Sequence, residues 1–368
     1  MRHPDRPLAH REELLWLLPV AAACLVLFLA GQAVGSGAGL AASDLTRGYV
    51  RMALRTLPVF AFLLVLPPLI WSVLKSSPSP FADLAHGLAR RYGSPLLLAA
   101  GLAPLVLLPI MFSGYGALKM AIPDYVPFSW DDRLAALDRL LFFGSQPWEL
   151  THALAGGATA TAVIDRIYTL WILMLSIAIL GFALFAPRYD RARFFLAFTV
   201  AWILLGVGGG YLFSSAGPCY AELVGARSAV EFAPMMARLR EISDMTIPLG
   251  AVQWQDVLWQ AHVNDQPSFG MGISAMPSLH NAIAILYALA LGRFGRAGAI
   301  GGWVYAAIIF FGSVHLGWHY AVDGLLAAAA MAAIWWGAGR YLEASGYANS
   351  VASEKAVEPA RGPAMEAA

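Results

Sequence analysis

The sequence predicts an all-α, polytopic membrane helix bundle of about eight transmembrane helices, and three observations carry that prediction. Of the 368 residues, 59% are hydrophobic and 13% charged, about half the charged share of an ordinary soluble domain. Eight apolar runs reach the ~20 residues that cross a bilayer. Two polar stretches, Ser-Ala-Met-Pro-Ser-Leu-His at 274–280 and Gly-Ser-Val-His-Leu-Gly-Trp-His-Tyr-Ala-Val-Asp at 312–323, interrupt the apolar pattern at helix starts on one membrane face.

The runs lie near 14–34, 52–74, 94–113, 163–186, 194–216, 275–292, 299–314 and 320–340. Arg2, Arg6 and Arg11 precede the first, as in a secretory signal. Its length, without a small-x-small cleavage site before a soluble domain, favours a retained anchor. Residues 1–113 carry no cluster of reactive side chains and read as N-terminal scaffold helices, residues 114–344 hold the polar motifs, and 345–368, rich in Ala, Ser, Glu, Gly and Pro, are expected to be a disordered tail.

Charge sets the expected orientation. With eight crossings, both termini and the connections near 75–93, 187–193 and 293–298 share a side, and they hold 14 of the 24 Lys and Arg residues. Basic residues collect in cytoplasmic loops. Both termini are therefore expected inside and the motif face outside the cytoplasm. The net charge of +1 gives no general pull toward nucleic acid.

Between the third and fourth runs, Asp131 to Gly144 has Leu134, Leu137 and Leu141 at helical spacing, with Asp132, Arg133, Asp138 and Arg139 mostly around the other face. That pattern predicts a helix lying in the interface. The connection 217–272 is long enough to hold helices of its own or to act as a lid over the motif face. Gly206, Gly208, Gly209 and Gly210 lie within a span and follow no strand, so they suit close helix packing better than a phosphate-cradling loop. Cys24 and Cys219 fall in dissimilar segments and are expected to form neither a disulfide nor a metal site.

Ionisable side chains beside lipid are costly and signal function. Asp323 follows His319 by four residues, so on a helix the carboxylate can hold one imidazole nitrogen and leave the other as a nucleophile. His280 comes from another helix, just after Pro277, a residue suited to a first helical turn. An imidazole titrating near neutrality can protonate a leaving oxygen. The set suits two-step transfer through a phosphohistidine, with helix N-termini near 277 and 320 turning N–H groups toward an anion. His315 shares the face of His319, where phosphate binding, tuning of His319 and a purely structural bond are all open. Ser278, Tyr220, Ser214 and Ser215 are hydroxyl candidates for phosphate; Arg227, Arg238 and Arg240 could swing in, although solvated charge is the commoner fate. The spacing of His315, His319 and Asp323 could also hold one metal ion. A di-iron site needs more ligands, and His3, His10 and His86 fall on the other side. No metal and no cofactor are expected. Trp254, Trp259 and Trp318 suit anchoring at the interface.

Pro-Ser-x-His, a span, then His-Tyr-x-x-Asp resembles the type 2 phosphatidic acid phosphatase superfamily, in detail the branch with fungal inositol phosphorylceramide synthases and their bacterial relatives. The resemblance covers roughly 120–340, including Asp131-Asp132-Arg133-Leu134 to Phe142-Phe143-Gly144 and Gly217-Pro218-Cys219-Tyr220. It implies a six-helix phosphatase-type core within 114–344, with His319 as nucleophile, Asp323 as its orienting partner and His280 as general acid. The superfamily's phosphatases usually carry Lys-x6-Arg-Pro before these motifs and an Arg six residues before the nucleophilic His. Aligned on Pro218, this chain has Gly210, Gly217 and Ser313 at those three positions. Three phosphate-binding cations are missing. A phosphomonoester carries up to about two negative charges near neutral pH and a diester one, so the departure favours a phospholipid donor and a lipid-alcohol acceptor. Ser313 joins Ser278, His315 and Tyr220 as a candidate for phosphate contact. A lipid or polyprenyl phosphate phosphatase with the same triad is the alternative, and a non-enzymatic transporter a more remote one, since transporters place ionisable groups at mid-membrane between related halves.

Overall fold

The computed structural model describes residues 10–37, 41–264 and 270–357, and all regular structure among them is helical. The chain opens with α1 (Leu14–Gly37), α2 (Ala42–Leu74), α3 (Pro80–Tyr92) and α4 (Pro95–Met120), and the short α5 (Ile122–Tyr125) then turns it. Two short helices follow, α6 (Asp131–Leu141) and α7 (Pro147–Ala155), before α8 (Ala158–Thr169) runs on into α9 (Trp171–Leu184). The next helix, α10 (Arg188–Ala201), widens into π-helical turns over Trp202–Gly209 and ends as α11 (Gly210–Leu212). Helices α12 (Ala229–Met245) and α13 (Gly250–Val263) occupy the long connection to α14 (Leu279–Leu291), after which come α15 (Arg296–His315), α16 (Ala321–Ala344) and α17 (Tyr347–Val357).

Six stretches among the described residues are long and apolar enough to cross a membrane: Arg11–Gly35, Pro95–Met120, Ala158–Leu184, Arg188–Leu212, Arg296–His315 and Ala321–Ala344. The runs predicted near 52–74 and 275–292 fall on α2, which is 33 residues long, and on α14, a shorter apolar helix. The protein is a multi-pass integral membrane helix bundle.

The bundle is built around α14, whose Ala282, Ile283, Ala284, Leu286, Ala288 and Ala290 are all buried. Helices α15 and α16 flank it, and Gly302 of α15 lies so close to Ala288 that a Cβ there would stand 2.6 Å from the Ala288 Cα. Small residues let helices approach where lipid supplies no hydrophobic drive between them. At the periphery the same rule joins α1 to α4: a Cβ on Gly31 would meet the Gly114 carbonyl oxygen at 2.4 Å. Glycines of the 206–210 run also serve packing, Gly206 against the Tyr115 ring and Gly209 against Pro277. Outward-facing Leu18, Val26, Val106, Ile172, Ile300 and Trp336 are exposed on spanning helices, the surface that lipid would cover. Cys24 and Cys219 are buried and unpaired.

The expected helix forms as α6, with Leu134 1% exposed and Leu137 and Leu141 39% and 49% exposed. Its buried stripe is Asp131, Leu134, Ala135 and Asp138, because the two carboxylates find backbone donors in the loops beneath, a stronger claim on the interior than two leucines at a lipid boundary. The C-terminal segment is also ordered further than composition suggested. Residues 347–357 form α17, with Tyr347 buried and its hydroxyl donating to Glu13 Oε1 at 2.9 Å. Residues 358–368, like Arg2, Arg6 and His3, lie outside the described residues.

Glu13 is fully buried and takes bonds from Trp16 Nε1 and Arg188 Nε (both 2.6 Å) as well as from Tyr347. This cluster joins the starts of α1, α10 and α17 at one end of the bundle. The stretch from Arg188 to Leu212, at ~1.5 Å per residue, carries the motif loops to the opposite end. Arg188 also pairs with Glu12, so losing Glu13 removes one of its carboxylates and leaves the Trp16 indole N–H without its acceptor. Glu13→Ala is therefore expected to lower unfolding stability by ~2 kcal/mol, read as the thermal midpoint of purified protein in detergent; a change within error would show that Glu12 alone holds this end of the bundle.

Candidate active site

Three loops meet where α11, the approach to α14 and the α15–α16 turn converge. The Ala275 N–H donates to the Ser215 carbonyl (2.9 Å), the Met276 N–H to Ser215 Oγ (3.1 Å), and the Cys219 N–H to the Gly317 carbonyl (2.9 Å). The two buried aspartates of α6 clamp this junction from outside. Asp131 accepts from the Ala216 and Gly217 N–H groups (3.0 and 2.8 Å) and from the Tyr320 hydroxyl (3.0 Å). Asp138 accepts from the Ala321 and Val322 N–H groups (2.7 and 2.8 Å), orphan donors at the start of α16. Asp165 of α8 does the same for Gly250 and Ala251 at the start of α13.

Within this frame the rings of His280 and His319 stand with centroids 5.9 Å apart. His280 is the second residue of α14, whose start is capped by Ser278. Its ring stacks on Tyr168 (5.1 Å) and lies against Trp171 (4.3 Å), whose Nε1 donates to the His280 carbonyl at 3.3 Å. His319 precedes α16 and is held by its N–H to the Ser313 carbonyl (3.1 Å). Its Nδ1 is 3.4 Å from Asp323 Oδ2 and makes no hydrogen bond. Asp323 Oδ2 accepts from the Tyr320 N–H (3.1 Å), while Oδ1 has no partner.

Burial pushes the His319 imidazole down to about 3; a bond to the Ala275 backbone works against this, and the Lys119 charge adds to it. The ring is therefore uncharged near neutrality, the form a nucleophile requires.

The other candidate residues are distributed as follows. Ser278 Oγ accepts from Asn281 Nδ2 (2.9 Å), and the same amide reaches Ser313 Oγ (3.1 Å), so the two serines form one network joining α14 to α15 below the histidines. His315 Nε2 lies 3.0 Å from Thr161 Oγ1, and its carbonyl accepts from His152 Nε2 at 2.8 Å. The Tyr220 hydroxyl donates to the Gln255 carbonyl (2.9 Å) and its ring stacks on Trp259. Arg238 is spent on the Gly156 carbonyl, while Arg227 and Arg240 pair with Asp132 and Asp256 at the surface. A small cavity against His319 is bounded by Asp138, Trp148, Phe232, Met235 and Tyr320. Phe232 and Met235 come from α12, so the 217–272 connection does contain helices and one of them covers the turn carrying His319. Among the described residues no three His, Cys, Asp or Glu side chains gather as metal ligands.

Sequence reasoning missed Asp131, Asp138, Asn281, Tyr168, Trp171 and Lys119. The spacing of seven between Asp131 and Asp138 was visible, with Leu134 and Ala135 between them on the same helical face. The loss of family cations also has a steric cause. Gly217 has φ +102°, and a Cβ there would stand 2.8 Å from the Trp318 carbonyl oxygen; at Gly210 it would press on Ile122 and Ser274.

Burial pushes the Asp138 carboxyl up to about 7, against the pull of its two N–H bonds and with a push from Asp323. Because the folded value lies above the unfolded 3.8, folding loses stability as pH rises from about 4 to about 7 and is level beyond. Asp138→Asn removes this titration and spoils one of the two N–H bonds, costing ~1 kcal/mol. Thermal unfolding across pH 4 to 8 should fall less steeply in the variant; parallel curves would remove Asp138 as the cause.

No curated protein and no solved structure gives a match to the chain. One family model does match, over residues 132–338, which include α6, all three loops and both histidine motifs. That stretch is more than half of the sequence, and the protein belongs to the PAP2 superfamily.

Proposed function

We propose that the protein is a membrane phosphotransferase that moves a phospho-head-group from a phospholipid to a lipid alcohol through a phosphohistidine. Superfamily membership suggests phosphatase-type chemistry on lipid phosphates; the finer reading rests on the facing rings of His280 and His319 with Asp323 behind the latter. In the first step the His319 nitrogen remote from Asp323 attacks phosphorus, the bond from phosphorus to the diacylglycerol oxygen breaks, and His280 gives that oxygen its proton. In the second step His280 takes the proton of the acceptor hydroxyl, whose oxygen attacks phosphorus and releases His319. The head group stays on phosphorus throughout.

Two features support transfer over hydrolysis. Gly210, Gly217 and Ser313 stand where the superfamily's phosphatases carry cations, which suits a singly charged diester. Phe232, Met235 and Trp148 beside His319 supply an apolar cover that would keep water from the phosphoenzyme. Ser278 and Ser313, tied through Asn281, and His315, tied to Thr161 and His152, serve this reading as residues that position the two motif helices around phosphate. Tyr220 braces the 217–220 turn through Gln255. Basic residues in the connections at the Glu13 end support a cytoplasmic location for both termini and an extracytoplasmic active site.

Purified protein given phospholipid labelled in the head-group phosphate, with a lipid alcohol, should pass label to the alcohol and release diacylglycerol. Release of free phosphate from phosphatidic acid, with no transfer, would instead establish the phosphatase. His319→Ala should abolish turnover while expression is retained, and Asp323→Asn should lower kcat by at least ~10²-fold.

A further inference from the structure

We propose that Lys119, in the last turn of α4, is a phosphate-binding residue of this active site and takes over from a cation the superfamily's phosphatases carry near position 210. The proposal rests on the phosphate chemistry assigned above to His280 and His319.

Four observations carry it. Lys119 lies beside the loop that leads to His280: a Cβ on Gly272 would stand 3.2 Å from Lys119 Cγ, and Gly272 has φ +100°. A larger residue at 272 would be strained and would push the lysine stem aside. The loop that starts at Gly272 runs on through Ala275, Met276 and Ser278 to His280, so the lysine stem lies along the approach to the histidine pair. Third, the end of α4 abuts the position of the missing cation. The Tyr211 hydroxyl donates to the Leu118 carbonyl (2.9 Å), and Gly210 packs on Ile122 and Ser274. A lysine rooted at 119 thus enters from the neighbourhood where a lysine at 210 would have stood. Finally, Lys119 has no hydrogen bond or ion pair with any described residue. Nearby arginines are engaged: Arg133 lies over the Trp130 ring, Arg139 pairs with Glu231, Arg238 with the Gly156 carbonyl and Arg240 with Asp256.

A half-buried ammonium without a counterion is unfavourable by itself and repels the proton that His280 must carry. Both costs vanish when an anion lies between the lysine and the two rings. One cation also matches the single charge of a phosphodiester. Lys119 lies 13 residues before the start of the family match at 132, so this chain supplies the charge from outside the shared core.

The test uses the full chain in detergent with inorganic phosphate and orthovanadate as probes. In wild type both should raise the thermal midpoint and inhibit turnover competitively. Lys119→Met should weaken both effects about 10- to 100-fold, the share of one charged hydrogen bond, and raise KM more than it lowers kcat. Removing the positive charge should raise the pKa of His319, so the acid limb of the pH profile should move to higher pH. Lys119→Arg should restore binding, which a lysine serving only to fill space would not require. If Lys119→Met does not express, Lys119→Gln is measured in its place. Unchanged inhibition constants and an unmoved acid limb, with turnover still abolished in His319→Ala, would overturn the role of Lys119 alone. Turnover surviving in His319→Ala would instead overturn the reading of the site.

Discussion

The geometry of this protein depends on buried carboxylates answering orphan backbone N–H groups. Asp131 and Asp138, one face of a short helix, bind the 216–217 turn and the start of α16. Those two places hold Gly217, close to the Trp318 carbonyl, and the residues that follow His319. Without the clamp the amides at the head of α16 would have no partner near lipid, where water cannot serve them. The placement of His319 against His280 thus depends on α6.

The legible part of this structure was periodic or local. Apolar runs of ~20 residues located the six membrane-length stretches together with α2 and α14, and the four-residue spacing of His319 and Asp323 leaves Nδ1 3.4 Å from the carboxylate although His319 lies ahead of the first turn of α16. What escaped was everything that required knowing which loop lies over which helix. Asp138, read as part of the polar face of α6, is buried, because its partners come from residues more than 180 positions later. Lys119 carried no signal at all. A single lysine at the end of an apolar helix ordinarily marks a membrane boundary, and only the approach of the 271–278 loop gives it another meaning. The tail at 347–357 was misjudged for a related reason: composition reports a lack of hydrophobic drive, while one buried Tyr347 suffices to tie the segment down.

Electrostatics in the site is sparse. His319 faces a small cavity walled by Trp148, Phe232, Met235 and Tyr320, and the His280 ring lies against Tyr168 and Trp171. In such surroundings each charge counts for more than it would in water, so few are needed. Gly217 lets its loop approach the Trp318 backbone at a distance that a Cβ would not allow, and Gly210 packs on the ends of Ile122 and Ser274.

The bond from Tyr347 to Glu13 crosses the whole chain in sequence, linking residues 334 positions apart. During synthesis at a membrane, helices emerge in order and early ones can pair at once, as α1 does with α4. The knot of Glu13, Arg188 and Tyr347 cannot close until the final spanning helix has been inserted. Until then Glu13 and Arg188 hold each other without their last ligand. A ribosome that stalls after α15 would therefore release a bundle open at its rear, a form that membrane quality-control proteases could distinguish from the finished protein.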